Sequence, residues 1–324
     1  MSLTENYKMI SSSRNDCLVH YSDSFLNFLD SALTESSVEQ ISVIENGEKQ
    51  AFFNFAIHKG DYGVVLNSLP FFGSHGGPVS SNKYYKDKLF EKIKLRLNEI
   101  NPSSYTIIES PFNPLCDADI HELGVDEVDY RIGQITPLPA DMTNFHVKTR
   151  NSIRKGQKLN MSFERKNDND SWEWMQSVHE ASIISLNGIP KTRKIFDLLK
   201  ATLKNSVELW IGSINKKPIC GLVTISYKQT VEYFTPVVEV NFRDSQALSA
   251  LIYEVMIIAS NGGYKLWNWG GTWESQVGVY RFKSRWGAED NNYRYFNSTN
   301  SQNIRSASQN ELIKSYPFFY VRKF

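Results

Sequence analysis

The chain has 324 residues, 41% of them hydrophobic and 13% aromatic, enough apolar material for two ordinary domains with separate cores. Its 36 Lys and Arg nearly cancel its 35 Asp and Glu, so no overall field exists to hold a long stretch of DNA or RNA by counterion release. The opening stretch, MSLTENYKMISSSRNDCLVHYSDSF, has no apolar h-region, and no run approaches the ~20 apolar residues that span a bilayer, so a cytoplasmic protein without a transmembrane segment is expected.

Cys17, Cys116 and Cys220 are odd in number and scattered, which gives neither a disulfide framework nor a CxxC site. In chain order, QAFFNFAIHKGDYGVVLNS (50–68) shows two apolar runs about Lys59-Gly60-Asp61 and predicts a β-hairpin. A Pro-aromatic-Gly loop, LPFFGSHGGP, follows. Tyr84, Leu89, Ile93 and Leu97 then recur at helical spacing and predict an amphipathic helix over 83–99, and SYTIIES reads as a strand.

The middle of the chain, FHVKTRNSIRKGQKL, sets Lys148, Arg150, Arg154, Lys155 and Lys158 at helical spacing, and Asp170 and Glu173 open a further helix in a capping-box pattern. Trp172 and Trp174 on it are expected to pack locally. The join between domains is placed near residue 145, giving domains 1–145 and 146–324. The second domain repeats the first plan: a hairpin over 207–226 about Asn215-Lys-Lys217, a third strand QTVEYFTPVV, an apolar helix over 244–260, a Gly262-Gly263 break and the strand YKLWNWGG. Hairpin, helix and strand in the same order twice suggest duplication. The polar stretch 297–311 reads as a surface loop before the aromatic terminus YPFFYVRKF.

No GxGxxG, P-loop, HExxH or GxSxG is present, so dinucleotide, nucleotide-triphosphate, zincin and α/β-hydrolase chemistry lose their usual support. Cys116-Asp-Ala-Asp119-Ile-His121 holds ligand-type atoms, but an Asp-rich turn is the commoner outcome and no metal is expected.

The strand ending Trp267-Asn-Trp-Gly-Gly271 is followed by Phe282-Lys-Ser-Arg-Trp-Gly287. This pair resembles the glycine-rich strand end and the FKxxFG element of the Fem-type aminoacyltransferases, a branch of the GNAT acyltransferase superfamily. LPFFGSHGGP, RNSIRKGQK and the meander from Trp210 to Val238 resemble further parts of that family in the same order, over about residues 50 to 290. The resemblance implies an α/β fold of two tandem GNAT-like domains, each a mixed sheet flanked by helices, with a cleft lined by LPFFGSHGG and NWGGTW.

By position the resemblance makes Lys283 the catalytic candidate, since the family's lysine meets phosphate or developing negative charge; a solvated lysine on a helix end is the alternative. Tyr233 aligns with an acceptor-site tyrosine, with slippage to Phe234 open and a half-buried strand aromatic equally open. His75, Gly76, Gly77, Trp269, Gly270, Gly271 and Phe282 complete the substrate-binding candidates, although a turn residue is the safer reading of His75. Of Trp267, Trp269 and Trp273, one or two belong to the core and another is free to stack on a sugar. Arg150, Arg154 and Arg243 are phosphate candidates, against the common alternative of a solvated basic face.

Two departures bear on the donor. The coiled-coil arm of the larger relatives is missing, which weakens the case for transfer RNA. The pyrophosphate loop expected before the helix at 244 is NFRDSQ, which keeps Arg243 but has no glycine, and Asp244 adds a negative charge there or caps the helix. Three functions remain. The first is an acyl- or aminoacyltransferase forming an amide on a cell-envelope glycan, amino sugar or peptidoglycan-type precursor; its donor, aminoacyl-tRNA or acyl-CoA, is a co-substrate rather than a tightly bound cofactor. The others are an ordinary acyl-CoA N-acetyltransferase on a small amine and a non-catalytic glycan-binding relative.

Overall fold

The computed structural model describes residues 18–71, 75–186 and 188–323. Its contacts divide the chain into two compact units, one formed by residues up to Gly133 together with Asn291–Phe324, the other by Gln134–Asp290.

The first unit opens with α1 (Asp23–Ala32), whose N-cap Ser22 accepts the Phe25 N–H. Then come β1 (Ser36–Glu45), β2 (Glu48–Gly60), β3 (Gly63–Ser68), the short β4 (Val79–Ser80), α2 (Lys83–Ile100), β5 (Ser104–Ile108), α3 (Asp117–Glu122) and β6 (Glu127–Pro137). Asn82 caps α2 at its start and Asn101, in the left-handed region, ends it. Leu89, Phe90 and Ile93 of α2 pack on Phe53, Phe55, Leu66 and Ile107 of the sheet, the amphipathic face that the spacing predicts, while Tyr84 stays exposed. Asp119 accepts the Cys116 N–H and pairs with Lys86, so the Asp-rich stretch serves a helix start.

The second unit runs through α4 (Val147–Gln157), β7 (Ser162–Lys166), α5 (Asn169–Ile184), α6 (Arg193–Leu203), β8 (Val207–Ile214), β9 (Lys217–Tyr227), β10 (Thr230–Val238), α7 (Ala247–Asn261), β11 (Leu266–Thr272) and α8 (Val277–Ser284). Asp168, not Asp170, caps α5, accepting the Ser171 N–H. Trp172 packs near Phe196 and Trp174 donates to Glu239. The apolar helix begins at Ala247 rather than 244, because Val240–Ser245 forms a separate 3-10 turn.

The chain then enters β12 (Glu289–Thr299) and closes with α9 (Gln302–Ser306) and α10 (Gln309–Ser315) in the first unit. The polar stretch expected as a surface loop is therefore strand and helix: Ser308 and Glu311 form a capping box, and Ile304, Leu312 and Tyr316 pack on Val65.

Strand order is β1-β2-β3-β5-β12 in the first unit and β11-β10-β9-β8-β7 in the second. Each has a meander of three antiparallel strands, a helix, and then a strand parallel to the third, as β3 with β5 and β10 with β11. The unit boundaries differ from a join near 145 for two reasons. Leu138, Ala140 and Phe145 belong to the core that holds Trp267 and Trp286, and β12 pairs with β5 from Tyr295↔Ile108 to Thr299↔Ser104.

Candidate active site

In the second unit the parallel strands β10 and β11 pair only at Thr230↔Leu266, Val231↔Trp267 and Glu232↔Asn268. Both strands continue beyond that point, β10 to Val238 and β11 to Thr272, without further register between them. Just past the last pair, β10 slips register against β9 between Tyr233 and Thr235, which leaves Phe234 as a bulge. Two sheet edges therefore part from a common apex and leave a wedge between them. An extended ligand can enter such an opening between strands.

The apex is polar inside an apolar sheet. Asn268 Nδ2 donates to Glu232 Oε2 at 2.7 Å, and Asn268 Oδ1 accepts the Gly270 N–H at 3.0 Å. Glu232 Oε1 is buried without a partner, and burial pushes the carboxyl up to about 8, which favours the neutral acid.

Two residues past Asn268, β11 turns at Gly270, whose φ of 70° suits glycine. The turn presents oxygens to Lys283 of α8. Its Nζ donates to Thr272 Oγ1 at 2.8 Å, Gly271 O at 3.1 Å and Gly270 O at 3.3 Å. The side chain is 6% exposed, and burial pulls its pKa down to about 8. The three acceptors favour the charged form. Lys283 is thus a caged cation beside the glycine turn, not a solvated lysine on a helix end.

The tryptophans divide cleanly. Trp267 and Trp269 are buried, and Trp269 Nε1 donates to Thr136 Oγ1 at 2.8 Å while its ring packs on Tyr233, Phe282 and Trp286. The expected substrate role of Trp269 gives way to a core role, because its ring and its N–H are both used within the unit. Trp273 is 45% exposed and is the aromatic of this stretch with a face toward solvent. Tyr233 and Phe282 keep part of their surface open beside the wedge.

Neither a family model nor a curated protein matches the sequence. Solved structures are similar in fold. FemX superposes with a TM-score of 0.71 at 13% identity, covering 91% of this chain and 96% of that one. L-PGS from Bacillus licheniformis gives 0.56 at 13% identity over 97% and 96%, and a tandem GNAT protein from the clavulanic acid biosynthesis pathway gives 0.54 at 9% over 92% and 95%. The chain has a FemX-like tandem GNAT fold.

The FemX-like fold repeats the parallel strand step in both units, and the two copies differ. In the first unit β3 and β5 pair from Val65↔Ser104 to Ser68↔Ile107, and the chain itself then bridges their ends. The Gly76 N–H donates to Ser68 O and the Gly77 N–H to Ile108 O, both at 3.0 Å, while Gly76 O accepts from Asn54. A Cβ on Gly76 would strike Asn54 O, and one on Gly77 would meet Ile108 O at 2.5 Å. The expected substrate-binding role of Gly76 and Gly77 is therefore replaced by a packing role: only glycine lets this segment fill the opening between the strands. His75 goes with them, 2% exposed, bonded through Nδ1 to Glu109 O and set between His20 and Tyr293, with burial pulling it down to about 4. Phe72, Gly73 and Ser74 of the same loop lie outside the described residues, as does Cys17.

Gly77→Ala is expected to destabilise the first unit by ~1–3 kcal/mol through overpacking against backbone that cannot yield. All seven tryptophans lie within 134–290, so tryptophan fluorescence follows the second unit alone. Calorimetry should show a lowered transition; a calorimetric profile identical to wild type would refute the packing role.

The phosphate candidates separate likewise. Arg150 Nη1 donates to Phe145 O at 2.6 Å and so braces the chain entering α4. Arg154 and Arg243 are exposed, as are Lys148, Lys155 and Lys158. Gly156 of α4 packs against Gln246 O and Ala250, which brings the end of the basic helix beside the turn carrying Arg243. Asp244 does not cap α7; Ser245 Oγ accepts the Ala247 N–H instead.

Sequence reasoning missed Glu232, Asn268 and Thr272. A single acid in the apolar strand QTVEYFTPVV was the available signal, since a lone charge inside a buried strand requires a specific partner.

Proposed function

We propose that this chain is an acyl- or aminoacyltransferase that forms an amide on an amino group of a cell-envelope glycan, amino sugar or peptidoglycan-type precursor. The observation that carries the reading is the wedge between β10 and β11 with a caged lysine beside it. The acyl carbonyl of the donor enters the wedge between the parted strands, with Tyr233, Phe282, Gly270 and Gly271 near it. The acceptor amine forms the new C–N bond as the donor's C–O or C–S bond breaks, and the amine proton leaves with the departing oxygen or sulfur. Lys283 supplies positive charge where the carbonyl oxygen becomes anionic, the interaction that most lowers such a barrier. Incubating the protein with acyl-CoA, charged tRNA and amino-sugar nucleotides, followed by mass spectrometry, tests the reading. A covalent acyl product supports it, and no product with any donor leaves the glycan-binding alternative.

The donor's phosphates meet Arg154, Arg243 and the lysines of α4 in this reading. Free coenzyme A is expected to bind weakly, because the 3-10 turn Val240–Ser245 has no glycine and Ser245 already occupies the first N–H of α7. Calorimetry with acetyl-CoA decides the point: micromolar binding lost on Arg243→Ala would promote the ordinary acyl-CoA reaction to first place. No described helix is long and apolar enough to cross a membrane. The reading places the reaction in the cytoplasm, where either donor is found.

A further inference from the structure

We infer that Glu232 is a positioning residue for Lys283, acting through Asn268 and Gly270. The contacts form one line: Glu232 Oε2 accepts from Asn268 Nδ2, Asn268 Oδ1 accepts from the Gly270 N–H, and Gly270 O accepts from Lys283 Nζ. Each link fixes the next. A backbone N–H is always a donor, so Asn268 must turn its oxygen toward Gly270 and its nitrogen away. The nitrogen then needs a buried acceptor, and Glu232 is that acceptor. Without it, the amide loses the partner that holds its plane, and the Gly270 turn loses the side chain that stabilises its positive φ. The carbonyls of Gly270 and Gly271 follow from that turn, and they set where the Lys283 ammonium rests.

The arrangement accounts for a carboxyl at a place where an apolar strand residue would otherwise be cheaper to bury. It also distinguishes the role of Glu232 from that of a charge. What the line requires is an acceptor at Oε2, and glutamine provides one of the same length. That Lys283 is the working group rests on the proposed transferase reading; that Glu232 positions it does not.

Lysine reactivity tests this without turnover. The folded full-length chain is labelled with trace acetic anhydride at pH 10, well above the value of about 8 to which burial pulls Lys283, so that labelling reports access rather than protonation, and Lys283 is compared with the exposed Lys204 and Lys216 by peptide mass spectrometry. Cys220, fully buried in the same unit, is probed in parallel with a thiol reagent. Wild type and Glu232→Gln should label Lys283 at least ~10-fold more slowly than the reference lysines, whereas Glu232→Leu should raise Lys283 labelling by ~5-fold or more, about one lost hydrogen bond, with Cys220 still protected. Asn268→Ala should do the same and stands in if Glu232→Leu does not fold. The inference is overturned by unchanged Lys283 labelling in Glu232→Leu or Asn268→Ala, by a rise that appears only together with Cys220 exposure, or by Glu232→Gln behaving like Glu232→Leu. Absence of any transferase product with these labelling results intact would count against the proposed function alone.

Discussion

Lys283→Ala is expected to lower turnover by ~10²–10³-fold, the usual effect of removing one preorganised group from a developing oxyanion. It should also lower stability, because Gly270 O, Gly271 O and Thr272 Oγ1 lose a buried donor, a cost of ~1–3 kcal/mol. A lysine on a solvated helix end would leave the fold untouched, so the two readings of this residue differ in a measurable way. Lys283→Arg should rescue poorly: a planar fork cannot reproduce three bonds radiating from one nitrogen. Because the folded pKa is pulled down to about 8, the charge is present below that pH and lost above it, so turnover in wild type should fall as pH rises through about 8. Single-turnover rates and tryptophan-monitored urea unfolding on the same samples measure both effects. Wild-type rates together with wild-type stability in Lys283→Ala would remove this lysine from the site.

Much of this architecture was readable in the chain because it is local. The hairpin over 50–68, the helix over 83–99 and the corresponding elements from Val207 onward follow from period-2 and period-3.6 patterns and from turn residues, and they recur as β2-β3-α2 and β8-β9-β10-α7. What could not be read is non-local. The pairing of β12 with β5 joins residues about 190 positions apart, and no local pattern announces it. The glycine pairs show the same limit within one motif type. Gly76-Gly77 and Gly270-Gly271 look alike as sequence, yet one pair lets the chain pack into an opening and the other shapes the turn that cages Lys283. The difference lies in which atoms approach the missing Cβ: backbone oxygens at Gly76 and Gly77, nothing within 4 Å at Gly270.

Glu232→Gln is expected to flatten the dependence of second-unit stability on pH between about 5 and 8. The carboxyl titrates near its ordinary 4.5 when unfolded and at about 8 when folded, so between those values the folded state binds the extra proton. Stability therefore falls as pH rises through this window, at up to ~1.4 kcal/mol per pH unit for a single group. The contribution is fully present below about 4.5 and is lost by about 8. Glutamine keeps the acceptor for Asn268 and has nothing to ionise, so its stability should be nearly flat over the same range. At pH 5 the two proteins should unfold at similar urea concentrations, and at pH 8 the variant should be the more stable by ~3 kcal/mol. Tryptophan fluorescence isolates the second unit, since every tryptophan lies there. The decisive quantity is the double difference between variants and between pH values. If it is zero, Glu232 is ionised in the fold already at pH 5, and the apex of the wedge holds a carboxylate rather than a neutral acid.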